Sequence, residues 1–252
     1  RALRGIAAGS AGRDGWSYLR RFAALSRAVT APSSHFARRL LEHDVVAADG
    51  SAVIDVWNGI DDDVLDSALS AGPAERASAR PRFVWLGRMS PEKRLLPFLE
   101  AVAASGIDAD VEVIGGGGQE KAARRLVARL EPAASVVFAG RLPYAETLRR
   151  IAAADAVVQT SIGFETQGMT VFEAASLGTS AVVSDPDIGA ELGSGFWQVP
   201  DPSVAALAET LRVAAADIAA GTAPLPDPTI RERFRQSSRT AAMVEVYDRA
   251  RA

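Results

Sequence analysis

Residues 81–200 alternate short apolar runs with longer amphipathic stretches, and few architectures accommodate that rhythm. Strands are expected at Phe83–Leu86, Val111–Ile114, Val136–Ala139, Ala156–Thr160, Ala181–Ser184 and Phe196–Val199. Between them the apolar spacing predicts helices over Pro91–Ala104, Gln119–Leu130, Tyr144–Ala153 and Gly168–Leu177. Strands this continuously apolar are buried on both faces, and the helices are long enough to serve as parallel crossovers. The expected fold class is therefore α/β, a doubly wound, parallel, Rossmann-like sheet.

The flanks read differently. Segment 61–80 is acidic and then rich in Ala, Gly, Pro and Ser, so an interdomain linker is expected there. Upstream, Trp16, Leu19, Phe22 and Leu25 mark an amphipathic helix over 16–29. Ala28–Ala31 follows as a short strand, His35–His43 as a helix, and Val53–Val56 as a strand ending at Asn58-Gly59. That is too little for a domain. Residues 1–60 are expected to be the tail of a preceding α/β domain in a longer protein, and 81–227 the sheet domain. Downstream, Ser203–Ala220 and Thr229–Ala250 read as helical across a Pro-rich break at Ala223–Pro228, making 228–252 a closing helix.

Composition narrows the chemistry. At ~150 residues per domain, 252 residues make one or two domains. No run approaches the ~18–20 apolar residues of a membrane-spanning helix. The absence of Cys excludes disulfides, thiolate metal sites and a cysteine nucleophile, and two His leave no room for a polyhistidine metal site. Net charge is −3, but unevenly spread: residues 1–41 carry eight Arg against Asp14, and 42–80 carry nine acids against Arg76 and Arg80. A basic leading segment can touch an anionic membrane or a phosphate, and it can equally be a solvated helix face. Trp16 with Arg20 and Arg21 fits a membrane-surface helix or a packed one. No signal-peptide pattern is present, so the expected location is cytoplasmic, with peripheral contact at the inner membrane face as an option. Lys is scarce, with only Lys93 and Lys121 among 28 basic residues, a mark of GC-rich coding, as in many bacteria, rather than of fold.

Three constellations carry candidate chemistry. In Leu86-Gly87-Arg88-Met89-Ser90-Pro91-Glu92-Lys93 a strand ends, Gly87 permits a turn, Arg88 projects, and Lys93 opens the next helix behind Pro91. Ligands of open α/β sheets bind outside the carboxyl ends of strands, where this cation pair would neutralise a pyrophosphate. In Val113-Ile114-Gly115-Gly116-Gly117-Gly118, glycines after a strand allow close backbone approach to a ligand. No Lys-Ser/Thr follows, so this is not a P-loop. In Gly163-Phe164-Glu165-Thr166-Gln167-Gly168-Met169-Thr170-Val171-Phe172-Glu173, two carboxylates stand with seven residues between them. Helix-start amides at Gly168, Met169 and Thr170 favour negative charge, and the carboxylates suit sugar or ribose hydroxyls. Asp185-Pro186-Asp187 and Asp108/Asp110 match an Asp-x-Asp pattern but read as loop residues, with no metal expected. His35 reads as a residue of the leading segment.

Taken together, Gly87-Arg88…Lys93, the glycine run, Val137-Phe138-Ala139-Gly140-Arg141 and Glu165…Glu173 resemble, in order and spacing, family 4 glycosyltransferases, which are retaining enzymes of GT-B fold. The resemblance covers roughly 28–250, with Ala31-Pro32-Ser33 and Asn58-Gly59-Ile60-Asp61 similar to the approach to the interdomain linker. It departs at Trp57, Gln167 and Ser180, where the family has Pro, an aromatic or Pro, and Pro. It implies a GT-B-like C-terminal domain behind a partial N-terminal, acceptor-binding domain. Arg88 and Lys93 would hold the diphosphate of a nucleotide sugar, Glu173 the ribose hydroxyls and Glu165 the donor sugar. Gly168, Met169 and Thr170 would meet sugar or phosphate, Arg141 and Leu142 the base, and Gly87, Gly115 and Gly116 would border the same substrate. The implied catalytic group is Glu165, Arg88 and Lys93, without metal or other cofactor. The implied acceptor is unspecified; the basic segment is compatible with a lipid-linked or phosphorylated one, and no nucleic acid partner is expected. The rival reading is a nucleotide-sugar-binding module without transferase activity. A sugar-nucleotide epimerase of the same fold suits the paired-Glu segment less well.

Overall fold

The computed structural model describes residues 15–46, 53–76 and 78–251; residues 1–14 and 47–52 of the expected leading segment lie outside them. The chain divides into two compact units, 1–59 with 236–252, and 60–235.

In the first unit, helix α1 (Gly15–Ala23) precedes strand β1 (Thr30–Ala31), helix α2 (Ser34–Glu42) and strand β2 (Ile54–Asp55), and β1 and β2 pair in parallel. Trp16 and Leu19 pack on a small core of Ala31, Ala37, Leu40, Val45 and Val46, whereas Phe22 and Leu25 are exposed. The predicted apolar face fails because a three-residue spacing drifts ~60° per step around an α-helix, so four such residues span half its circumference. The helix also stops at Ala23, short of Leu25. His35 is buried in α2 beside Ser33, which caps that helix by accepting from the Phe36 amide at 3.1 Å.

The second unit opens with helix α3 (Asp62–Ala71), which occupies the first half of the 61–80 segment where a linker is expected. Asp61 caps it by accepting from the Val64 amide at 3.1 Å, two acids occupy its first turn, and Leu65 and Ala68 are buried. Strands β3 (Arg82–Arg88), β4 (Asp110–Gly116), β5 (Ser135–Gly140), β6 (Ala156–Gln159), β7 (Ser180–Val183) and β8 (Phe196–Gln198) form one wholly parallel sheet in the order 5-4-3-6-7-8. The six predicted strands are all present. Crossovers are made by α4 (Leu95–Ser105), α5 (Glu120–Leu130), α6 (Tyr144–Ala152), α7 (Met169–Leu177) and α8 (Pro186–Leu192). Helix α9 (Val204–Ala220) returns over the sheet and packs on α4, while α3 packs on α6.

Asp185 and Asp187, expected in a loop, start α8: Asp185 is its N-cap and accepts from the Asp187 amide at 3.0 Å. The predicted closing helix is broken into α10 (Ile230–Arg233) and α11 (Gln236–Arg251), because Phe234 and Arg235 turn inward. The Ile60 amide bonds the Phe234 carbonyl, Phe234 is fully buried against Phe172, and Arg235 pairs with Asp66. The main core covers one sheet face, with Phe83, Trp85, Val111 and Val113 packed under Leu95, Phe98, Leu99 and Leu211. Every residue of β6 and β7 is buried, as strands covered on both faces must be. Among the described residues no helix is long and apolar enough to cross a membrane.

Candidate active site

The strand order reverses direction between β3 and β6, so the crossovers from these neighbours leave on opposite faces and open a crevice beyond their carboxyl ends. A cavity of about 240 Å3 lies there, and Trp85, Lys93, Thr160, Ser161, Glu165 and Gly168 are among its lining residues, with Met169 and Thr170. Lys93 sits in a single 3-10 turn, Pro91–Lys93, that leads into α4. Its carbonyl accepts from Thr160 Oγ1 at 2.6 Å, and Thr160 Oγ1 accepts from Trp85 Nε1 at 2.9 Å. The ends of β3 and β6 thus fix the lysine's backbone. Lys93 Nζ then donates to Glu165 Oε1 at 2.5 Å, and Ser161 Oγ reaches the same oxygen at 2.5 Å.

Gln159 ties these loops together. Its amide nitrogen donates to the Ser161 carbonyl at 2.6 Å, and its oxygen accepts from the amides of Ser184 and Asp185 at 3.1 and 3.2 Å. Asp185 Oδ2 accepts from the Gly163 amide at 2.7 Å, which anchors the loop carrying Glu165. Gly168 begins α7 with φ +82, and a Cβ there would stand 2.8 Å from Ile188 Cδ1, so both backbone and space require glycine. No side chain caps α7, leaving its positive end turned to the cavity that Met169 and Thr170 line. Glu173 follows one turn later on the same helix face as those residues. It is buried and accepts from Tyr144 Oη at 2.7 Å. Burial raises its carboxyl above the ordinary range, opposed only by that hydrogen bond. Burial, then the Glu173 charge, pushes the Tyr144 phenol up in turn.

The structure brings Lys93, Glu165, Gly168, Met169 and Thr170 around one cavity, whose lining does not include Glu173, one turn further along α7 and held by Tyr144. It does not bring Arg88 and Lys93 onto a common partner. Arg88, at the end of β3, is exposed and donates to Glu92 at 3.0 Å and to Ser90 at 3.3 Å. The glycine run has a neighbour within the sheet. Gly115 (φ +126) lies level with Gly87 on the adjoining strand, a Cβ there would overlap the Gly87 carbonyl, and the Met89 amide bonds the Gly116 carbonyl at 3.0 Å. The close approach is between β4 and the β3 loop. Arg141 lies across Gly116 at the end of β5, and Leu142 is half-buried beside it in sequence. Sequence reasoning missed Tyr144, Gln159, Ser161, Thr160 and Trp85. Polar residues at the end of one apolar strand, β6, were the available signal for Gln159, Thr160 and Ser161. Nothing local announces a tyrosine whose partner is 29 positions away.

A larger cavity, about 320 Å3, lies at the opposite end of the strands near Arg76, Arg80, Arg82, Asp110, Glu112 and Arg150. Each of those arginines is committed to an acid: Arg76 to Asp155, Arg80 to Asp108 and Asp110, Arg82 to Glu112, and Arg150 to Glu112 and Glu146. Among the described residues no group of three or more His, Asp or Glu side chains is arranged to hold a metal ion.

A family model described as glycosyl transferases group 1 matches residues 72–217. The chain belongs to the group 1 glycosyltransferases. Solved structures agree on the fold. Anabaena HepE, in complex with UDP and glucose, superposes with a TM-score of 0.70 at 18% identity over 93% of this chain and 67% of that one. A glycosyltransferase from Rickettsia africae gives 0.71 at 16% identity over 96% and 68%. Sucrose-phosphate synthase from Thermosynechococcus elongatus gives 0.69 at 19% over 97% and 65%. This glycosyltransferase thus spans about two thirds of each relative's length and shares the Rossmann-like sheet of GT-B enzymes. No curated protein matches its sequence.

Proposed function

We propose that this chain forms the donor-binding part of a retaining, family 4-type glycosyltransferase that moves a sugar from a nucleoside diphosphate to an acceptor hydroxyl. In this reading residues 81–227 bind the donor, and residues 1–60 are the tail of the acceptor-binding domain. The observation that carries it is the convergence, at the β3/β6 switch point, of the Lys93 ammonium, the Glu165 carboxylate and an uncapped helix start, with Glu173 one turn further along that helix. Relatives of the same fold support it, HepE having been crystallised with UDP-glucose. Lys93, held by one oxyanion, exchanges Glu165 for the diphosphate and so releases Glu165 to the sugar hydroxyls. Arg88 swings from Glu92 to the same diphosphate; its exposure leaves room for the movement. Both cations then stabilise the charge that grows as the bond from anomeric carbon to phosphate oxygen breaks. Glu173 receives the ribose diol. No metal or other cofactor is invoked for these steps, and the acceptor is left to chemistry outside the cavity, with a lipid-linked or phosphorylated one compatible with the basic leading segment.

Calorimetric titration with UDP and GDP, beside assays of sugar transfer and donor hydrolysis, tests the proposal. Binding with turnover supports it. Binding without turnover supports the rival, a nucleotide-sugar-binding module, and absence of binding contradicts both.

A further inference from the structure

The mechanism above leaves Tyr144 without a role, although it makes the single hydrogen bond found at Glu173. Tyr144 is the first residue of α6, directly after Pro143 and the Arg141-Leu142 loop, and its ring is half-exposed. Glu173 sits on the neighbouring helix and is 6% exposed. An ionised carboxylate has about four acceptor positions on its two oxygens. A tyrosine hydroxyl at 2.7 Å fills one of them, on Oε1. Among the described residues, burial and the Tyr144 hydroxyl are what act on the Glu173 carboxyl. On α6, Glu146 is taken by Arg149 and Arg150, and Arg150 also reaches Glu112. On α10, Arg231 donates to the Ser176 carbonyl at 2.7 Å, and Glu232 pairs with Arg235. Buried and, among the described residues, held at one oxygen by Tyr144 with no cation paired to it, Glu173 has capacity left for two O–H donors on one carbon framework.

We propose that Tyr144 is a positioning residue for donor recognition: it fixes Glu173 by Oε1 so that the remaining oxygen meets the vicinal 2′,3′-diol of a ribonucleoside diphosphate. The inference rests on the donor-site reading above. Its consequences extend to protonation. The tyrosine hydroxyl favours the charged carboxylate against burial, and the charged form is the one that accepts from a diol. Loss of the hydroxyl therefore both frees the rotamer and raises the pH at which Glu173 protonates.

The test compares the wild-type chain, Tyr144→Phe and Glu173→Gln by calorimetry with UDP, GDP and their 2′-deoxy counterparts, from about pH 5 to about pH 8. Circular dichroism of each variant confirms folding. A site built to bond a hydroxyl rejects the analogue lacking it, so the wild type is expected to prefer the ribonucleotide. Tyr144→Phe is expected to lose about tenfold in ribonucleotide affinity. It should also lose most of the discrimination against the deoxynucleotide and show an acid limb moved to higher pH. Glu173→Gln should discriminate as weakly and show no acid limb from this group. A Tyr144→Phe chain that is folded, keeps the wild-type preference and has an unmoved acid limb overturns the role of Tyr144 while leaving the donor-site reading intact. A wild-type chain that binds neither nucleotide overturns the donor-site reading, and this inference with it.

Discussion

The two ends of the sheet in 60–235 both gather charge, but they balance it differently. At the amino ends of the strands, Arg82 and Glu112 form a buried pair at 2.5 Å, and Arg150 supplies Glu112 with a second cation at 3.1 Å. At the carboxyl ends, Glu173 is as deeply buried as Glu112 yet has a tyrosine hydroxyl where Glu112 has two guanidinium groups. A buried charge that is fully paired holds a fold together. One left short of partners carries a cost that a ligand can repay. The paired end of the sheet has the larger cavity of the two, about 320 against 240 Å3.

The contrast breaks most visibly at Glu112. Glu112→Ala leaves Arg82 buried without its carboxylate, so unfolding is expected to become easier by about 3–5 kcal/mol. In thermal melts that is a fall on the order of 10 °C, with nucleotide affinity of the still-folded protein unchanged. A melt within a degree or two of the wild type would mean that the network is not structural.

Lys93→Ala sharpens the comparison from the other side. It is expected to slow sugar transfer by about 10- to 1000-fold, because the diphosphate loses its ammonium, while the melting temperature changes little. Arg88→Ala acts in the same direction, and Glu165→Ala should lower turnover more than nucleotide affinity. Equal loss of kcat and affinity in Glu165→Ala would argue against its place at the sugar.

Glu173 offers the smallest effect on stability, and one of opposite sign to Glu112. Because burial raises its carboxyl in the native state, the folded chain retains a proton that the unfolded chain has lost. Stability attributable to this residue therefore falls as pH rises from the ordinary carboxylate range through the raised native value. Glu173→Gln is expected to flatten that slope and to stabilise the fold slightly at neutral pH while weakening nucleotide binding by about 10- to 100-fold. Urea titrations across the pH range read the slope; a variant less stable than the wild type at neutral pH would show that Glu173 is instead a structural anchor.

The fold was legible because each of the six strands carries a short apolar run, and in β6 and β7 every residue is buried, as cover on both faces imposes. Helices α3 and α8 were hidden by composition. Asp61-Asp62-Asp63 and Asp185-Pro186-Asp187 read as polar loops, although acids at and just after an N-cap are what a helix start prefers. At the candidate site, Lys93, Glu165 and Glu173 were singled out because two short local patterns, Gly87-Arg88…Lys93 and Glu165…Glu173, resemble a known family, although Lys93 and Glu165 stand 72 positions apart. The bonds that hold them could not be found that way. Trp85 to Thr160, Gln159 to Asp185 and Tyr144 to Glu173 join residues whose proximity exists only once parallel strands align. The glycine run adds a role that sequence does not show, since Gly115 is needed for β4 to approach Gly87, a contact between strands that no local pattern announces.

The most direct test of the central claim is a crystal structure of the chain with a bound nucleoside diphosphate sugar. The account expects the diphosphate beyond β3 and β6, Lys93 Nζ transferred from Glu165 to a phosphate oxygen, and the ribose hydroxyls on Glu173. A diphosphate found among Arg76, Arg80 and Arg150 at the amino ends of the strands, with Lys93 still on Glu165, would contradict it.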